Sequence, residues 1–192
     1  YILVVLLAST FHGTAIIMIP IYFIAQWKPF SLQSIAASVA IAVAGINIGR
    51  FEFLFDNTQY EGYLDTILET SGMNVIRFLV AAVPVVIAVA GRKIIKAEYN
   101  RLINICVNMS CFYIAVQFSA LFVGANYIVR IATYFNVYNL ILLPWMIKNC
   151  FTKDSEEFVK LACLICYFIY FYYQIVITWN LGYVSDILGL SF

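Results

Sequence analysis

An arginine opens the apolar run 129–147, and hydroxyl-bearing residues follow it on one side. On a helix Arg130, Thr133, Tyr134 and Val137 share a face, with Tyr138 at its edge. That set suits an anionic, oxygen-rich ligand. A guanidinium grips paired phosphate oxygens through a planar fork of donors, and phenol rings pack on sugars while their hydroxyls bond sugar hydroxyls. Arg77 and Arg50 are two further arginines outside the basic clusters. His12 is the only histidine, the side chain type whose ordinary titration lies nearest neutrality and so suits general-base work. Asp56 and Glu61 are rival proton acceptors. A fourth group is the stripe Cys163, Tyr167, Tyr170, Gln174 and Thr178, whose phenols and amide require partners or water at mid-membrane.

The elements that must carry these residues are membrane helices. The chain has 192 residues, 64% hydrophobic and 11% charged, against about 25% charged in a soluble domain. Its formal net charge of +1 and lack of a basic run give no footprint for nucleic acid. The apolar stretches 1–25, 33–49, 72–90, 102–123, 129–147 and 159–180 predict an all-α, polytopic transmembrane bundle of about six segments. The chain reads as a single membrane domain over 1–192, the C-terminal part of a longer protein, since it begins inside an apolar run. Lys28, the cluster Arg92, Lys93, Lys96 and Arg101, and the group Lys148, Lys153 and Lys160 fall in connections that alternate with the helices. All three connections can then lie in the cytoplasm, and the acidic loop 50–72 faces outward. Arg50, Arg77 and Arg130 all come at the outer rim, against that trend. Each either snorkels to headgroups, pairs with a loop carboxylate such as Glu52 or Asp56, or holds a ligand.

The first segment is interrupted at His12-Gly13. Its two halves form either one kinked helix or two half-helices, with Thr14 as a cap for the second. Either way His12 points to protein interior or water. Two stripes of small and polar residues, Ser38–Ala42–Gly45–Gly49 and Asn104–Asn108–Cys111–Ala115–Ser119, predict close helix packing. The cysteines fall in apolar or inner segments, which argues against a disulfide framework, and the C-x-x-C at 163–166 reads as packing.

"LLASTFHGTAIIMIPIYFI" (6–24) resembles the Ala-x-x-Phe-His-x-(Ser/Thr)-Ala segment of EpsG-family membrane proteins, and "RIATYFNVYNLILLPWMIK" (130–148) resembles that family's Arg-x-x-x-Tyr-Phe…Leu-Pro segment. The resemblance implies an enzyme of exopolysaccharide or capsule biosynthesis, similar to Wzy-type polymerases, in the bacterial cytoplasmic membrane. Its partner would be an undecaprenyl-diphosphate-linked oligosaccharide, alongside membrane lipids and other polysaccharide-assembly proteins. The diphosphate is already the leaving group, so no nucleotide sugar or other cofactor is needed. No Asp-x-Asp is present, and a metal-independent mechanism is the expectation. Arg130 is the first candidate to stabilise the leaving diphosphate, then Arg77 and Arg50, with His12 as proton acceptor. Tyr134, Tyr138, Tyr170 and Gln174 are the candidate glycan contacts. Two rival readings are a transporter or flippase of lipid-linked oligosaccharide, and a glycan ligase or membrane acyltransferase.

Overall fold

The computed structural model describes residues 1–48, 50 and 72–179, and two short strands beyond them. The chain falls into two compact units, Tyr1–Met146 and Ile147–Phe192, each described by itself.

In the first unit α1 (Ile2–Phe11) ends at His12, whose backbone is extended at φ −144° and ψ 98°. A 3₁₀ helix (Gly13–Ile17) and α2 (Met18–Ile24) follow. The sequence explains the break. Ser9 and Thr10 donate their hydroxyls to the carbonyls of Leu6 and Leu7, both at 2.7 Å, which competes with the helical ladder, and Gly13 has a low helical propensity. Pro20 sits in the first turn of α2, where a missing N–H is tolerated. Of the two readings the sequence left open, the two half-helices are the one present. Thr14 does not cap the second, because it lies inside the 3₁₀ turn and its hydroxyl goes elsewhere.

Next come α3 (Leu32–Ile46), capped by the Ser31 hydroxyl, α4 (Val75–Ala90), capped by Asn74, and the short α5 (Arg92–Ala97). Then α6 (Arg101–Ser119) begins under the Asn100 cap. The mast of this unit is α6. Helices α3, α4 and α7 (Ala125–Asn136) all pack on it. Its Met109, Phe112 and Val116 enter a core with Met18, Ile21, Ala132 and Phe135.

The small-residue stripes do what close packing requires. A Cβ on Gly45 would lie 2.3 Å from the Ser119 hydroxyl oxygen, so α3 approaches α6 as closely as it does only through a glycine. Near the middle of α6 the Asn108 amide, fully buried, joins three segments. Its Nδ2 donates to the carbonyls of Ala25 at 2.9 Å and Trp27 at 2.6 Å, while Ser34 Oγ donates to its Oδ1 at 2.6 Å. Arg101 donates to Gln26 Oε1 at 2.5 Å nearby. Two of the three basic connections therefore gather at one end of the unit, while the Met73 amide donates to the Ala120 carbonyl at the other.

The run 129–147, expected as one crossing, is two twelve-residue helices, α7 and α8 (Asn139–Cys150). Asn136 and Asn139 flank the joint and bond each other, Nδ2 to Oδ1, at 3.1 Å. Short amide side chains favour turns over helix interior, and neither helix, at about 18 Å, spans a core of about 30 Å alone.

The second unit holds α9 (Lys153–Tyr172), continued by a π turn (Tyr173–Thr178), and a short antiparallel ladder pairing Val184 with Ser191 and Ser185 with Leu190. Two helices among the described residues are long and apolar enough to cross a bilayer, Arg101–Ser119 and Lys153–Thr178. Ile2–Phe11, Gly13–Ile24, Leu32–Ile46 and Val75–Ala90 are apolar but shorter. Helix α9 has no buried residue, and Leu164, Phe168 and Phe171 stand exposed on it. A bare apolar rod of this kind fits hydrocarbon as its solvent and not water.

Candidate functional site

Two segments far apart in the chain meet at the break in the first segment. The Thr14 hydroxyl and the Tyr134 hydroxyl are hydrogen-bonded at 3.0 Å across 120 residues. The His12 ring faces Tyr134, with centroids 6.4 Å apart and planes tilted by 43°. On α7, Arg130 stands one turn before Tyr134 on the same side, and its side chain is exposed.

The backbone at the break is self-sufficient. His12 N–H donates to the Ala8 carbonyl and Ala15 N–H donates to the His12 carbonyl, both at 2.9 Å. The imidazole itself makes no capping bond and is exposed. The ring therefore does not serve the freed carbonyls of the break.

The remaining sequence-selected residues separate. Thr133 donates its hydroxyl back to the Arg130 carbonyl at 2.6 Å and so serves its own helix. Tyr138 is bonded to Tyr1, and Tyr1 donates to the Met18 carbonyl at 3.2 Å and stacks on Tyr22 with centroids at 4.5 Å. Tyr138 thereby braces the joint between α7 and α8 against the start of the chain. Arg77, half-buried in the first turn of α4, acts on Tyr113 of α6, which bonds Gln117. Arg50 is exposed in the turn after α3. The elements leading to all three arginines, α3, α4 and α7, share α6 as neighbour. Asp56 and Glu61, with most of the loop 50–72, lie outside the described residues, as does Gly49 of the α3 stripe. Tyr170 and Gln174 belong to the second unit, where the Tyr170 hydroxyl donates to Gln174 Oε1 at 3.2 Å.

The residue that sequence reasoning assigned to the wrong duty is Thr14. It stands two positions after His12, and the phenol it bonds lies 120 residues further along the chain.

Both segments lie within the stretch that the model of the EpsG family matches, residues 1–185. The chain belongs to the EpsG family. No curated protein and no solved structure matches it. EpsG membership, together with the apolar helices, makes this an exopolysaccharide-related membrane protein. In this EpsG-family chain the arrangement offers an exposed cation, an exposed imidazole and a phenol anchored by a threonine.

Proposed function

We propose that this protein polymerises lipid-linked oligosaccharide repeat units, transferring a glycan from undecaprenyl diphosphate to the end of another lipid-linked repeat at the outer membrane face. The observation that carries the reading is the Thr14–Tyr134 bond, which draws His12 and Arg130 to one locus.

The chemistry places a distinct demand on each residue. The bond between the anomeric carbon and the diphosphate oxygen breaks, and the acceptor hydroxyl oxygen forms the new bond to that carbon. Negative charge builds on the departing diphosphate, and a guanidinium held in place at Arg130 stabilises it more in the transition state than in the ground state. The acceptor hydroxyl gives its proton to the His12 imidazole. Tyr134, fixed by Thr14, offers a ring face to a sugar. Arg77 and Arg50 extend the cationic rim, and Tyr138, Tyr170 and Gln174 are secondary candidates for glycan contact. The carrier leaves as undecaprenyl diphosphate.

The decisive experiment replaces Arg130 with Lys in cells making the polymer. The charge stays and the fork is lost, so turnover falls about 100-fold and single repeat units accumulate on carrier at the outer face. Accumulation at the inner face instead would mark a flippase. Full wild-type polymer from Arg130→Ala and His12→Ala alike would remove this site.

A further inference from the structure

At the opposite end of α6 from α7's entry there is a second feature of a different kind. A hollow of about 360 Å³ lies between the α2–α3 turn and the α5–α6 connection, within the range of small-molecule sites (about 300–1,000 Å³). Lys28 comes from one wall and Lys96 from the other, with Tyr99 and Asn104 beside them, and no carboxylate is among the residues that line it. Ser31 also lines it, and Ser31 caps the fifteen-residue α3. The positive end of that helix dipole therefore adjoins the same space. Two exposed lysines thus line one hollow with no carboxylate among its lining residues, an arrangement that an anion can engage from both walls.

The backbone supports the same conclusion. Phe30, in the wall, has φ 58°, a left-handed conformation that costs a bulky residue on the order of 1–3 kcal/mol and recurs at ligand clamps. The turn is nevertheless pinned, since Asn108 holds the Trp27 carbonyl and the Ser31 N–H donates to the Lys28 carbonyl at 3.2 Å. The strained loop is thus set in one shape before any ligand arrives. Beneath it Ile95 is buried, giving an apolar floor.

We infer that this hollow binds a phosphate group between Lys28 and Lys96, independently of the site at His12 and Arg130. The chemistry is shared by two sources, the headgroup of an anionic phospholipid and a soluble phosphate. Position favours neither in itself, and the test separates them. Purified full chain in phosphatidylcholine nanodiscs is titrated with a fluorescent short-chain phosphatidylglycerol, and in a second arm inorganic phosphate is added as competitor. Each lysine near a phosphate contributes about fivefold in affinity, so Lys28→Gln with Lys96→Gln lowers binding on the order of 30-fold. Arg92→Gln with Lys93→Gln, which keeps the hollow's two lysines, lowers it far less. Competition by millimolar inorganic phosphate assigns a soluble ligand, and resistance to it assigns the lipid. Equal binding by wild type and the Lys28/Lys96 double variant, an equal loss from the Arg92/Lys93 control, or no saturable binding by wild type would each overturn the inference. A melting curve for the double variant that matches wild type shows that the loss is of the site and not of the fold.

Discussion

At the scale of single residues, the chemistry of this protein turns on which hydroxyls are free. Thr133 and Tyr138 both looked available from their helical face, and both are engaged, one with its own helix and one with Tyr1. Tyr134 and Thr14 are engaged with each other, and that bond positions the locus. Thr14→Val and Tyr134→Phe should each cost about 1 kcal/mol of stability, and the double variant should cost little more than the larger single, since both remove one interaction. Thermal melting of the four proteins in detergent measures this, and additive losses would show that the two hydroxyls act separately. The sequence disclosed the participants at this scale because their types are chemically distinctive: one histidine, an arginine where a membrane helix should have none, a phenol one turn on. It did not disclose the Thr14–Tyr134 pairing, because a partner 120 residues away leaves no local trace.

At the scale of elements, periodicity carried the packing further than it carried the boundaries. The small-residue face of α3 and the polar face of α6 were legible as stripes, and they meet at Gly45 and Ser119. Gly45→Ala drives a methyl into Ser119 and should destabilise the protein by about 1–3 kcal/mol. Adding Ser119→Gly should recover part of the loss, and two independent penalties in the same melting series would rule out the contact. Asn108 is the other test of packing. Asn108→Ala strips the buried Ala25 carbonyl and the partly buried Trp27 carbonyl of their donor and should cost about 3 kcal/mol, with protease nicking near Lys28 as the local readout. What hydropathy could not show was the joint between α7 and α8. Val137 and Tyr138 are as apolar as the residues around them, and the two asparagines that mark the turn resemble polar positions on an uninterrupted helix.

On the scale of the whole molecule, the surface settles the solvent. Helix α9 exposes Leu164, Phe168 and Phe171 and has no buried residue within its unit, whereas α6 hides most of its side chains among its neighbours. Composition and family place the chain in a membrane, and within its own unit α9 presents the apolar surface that hydrocarbon would solvate. Leu164→Arg combined with Phe168→Arg puts two guanidinium groups into that lipid-facing helix at about 2.5–3.5 kcal/mol each. The helix should then fail to insert, so that a tag at the C-terminus changes sides in a protease-protection assay. An unchanged tag would mean that α9 has another neighbour than lipid.

The amide of Asn108 also sets an order of events during synthesis. The ribosome delivers the three groups it fastens, on Ala25, Trp27 and Ser34, between 74 and 83 residues ahead of it. Until α6 emerges, those carbonyls must be served by water or headgroups, which keeps the early turn waiting at the bilayer surface. The helices on either side of that turn are therefore made well before the amide that fastens them, and a chain halted anywhere before residue 108 should leave them undocked.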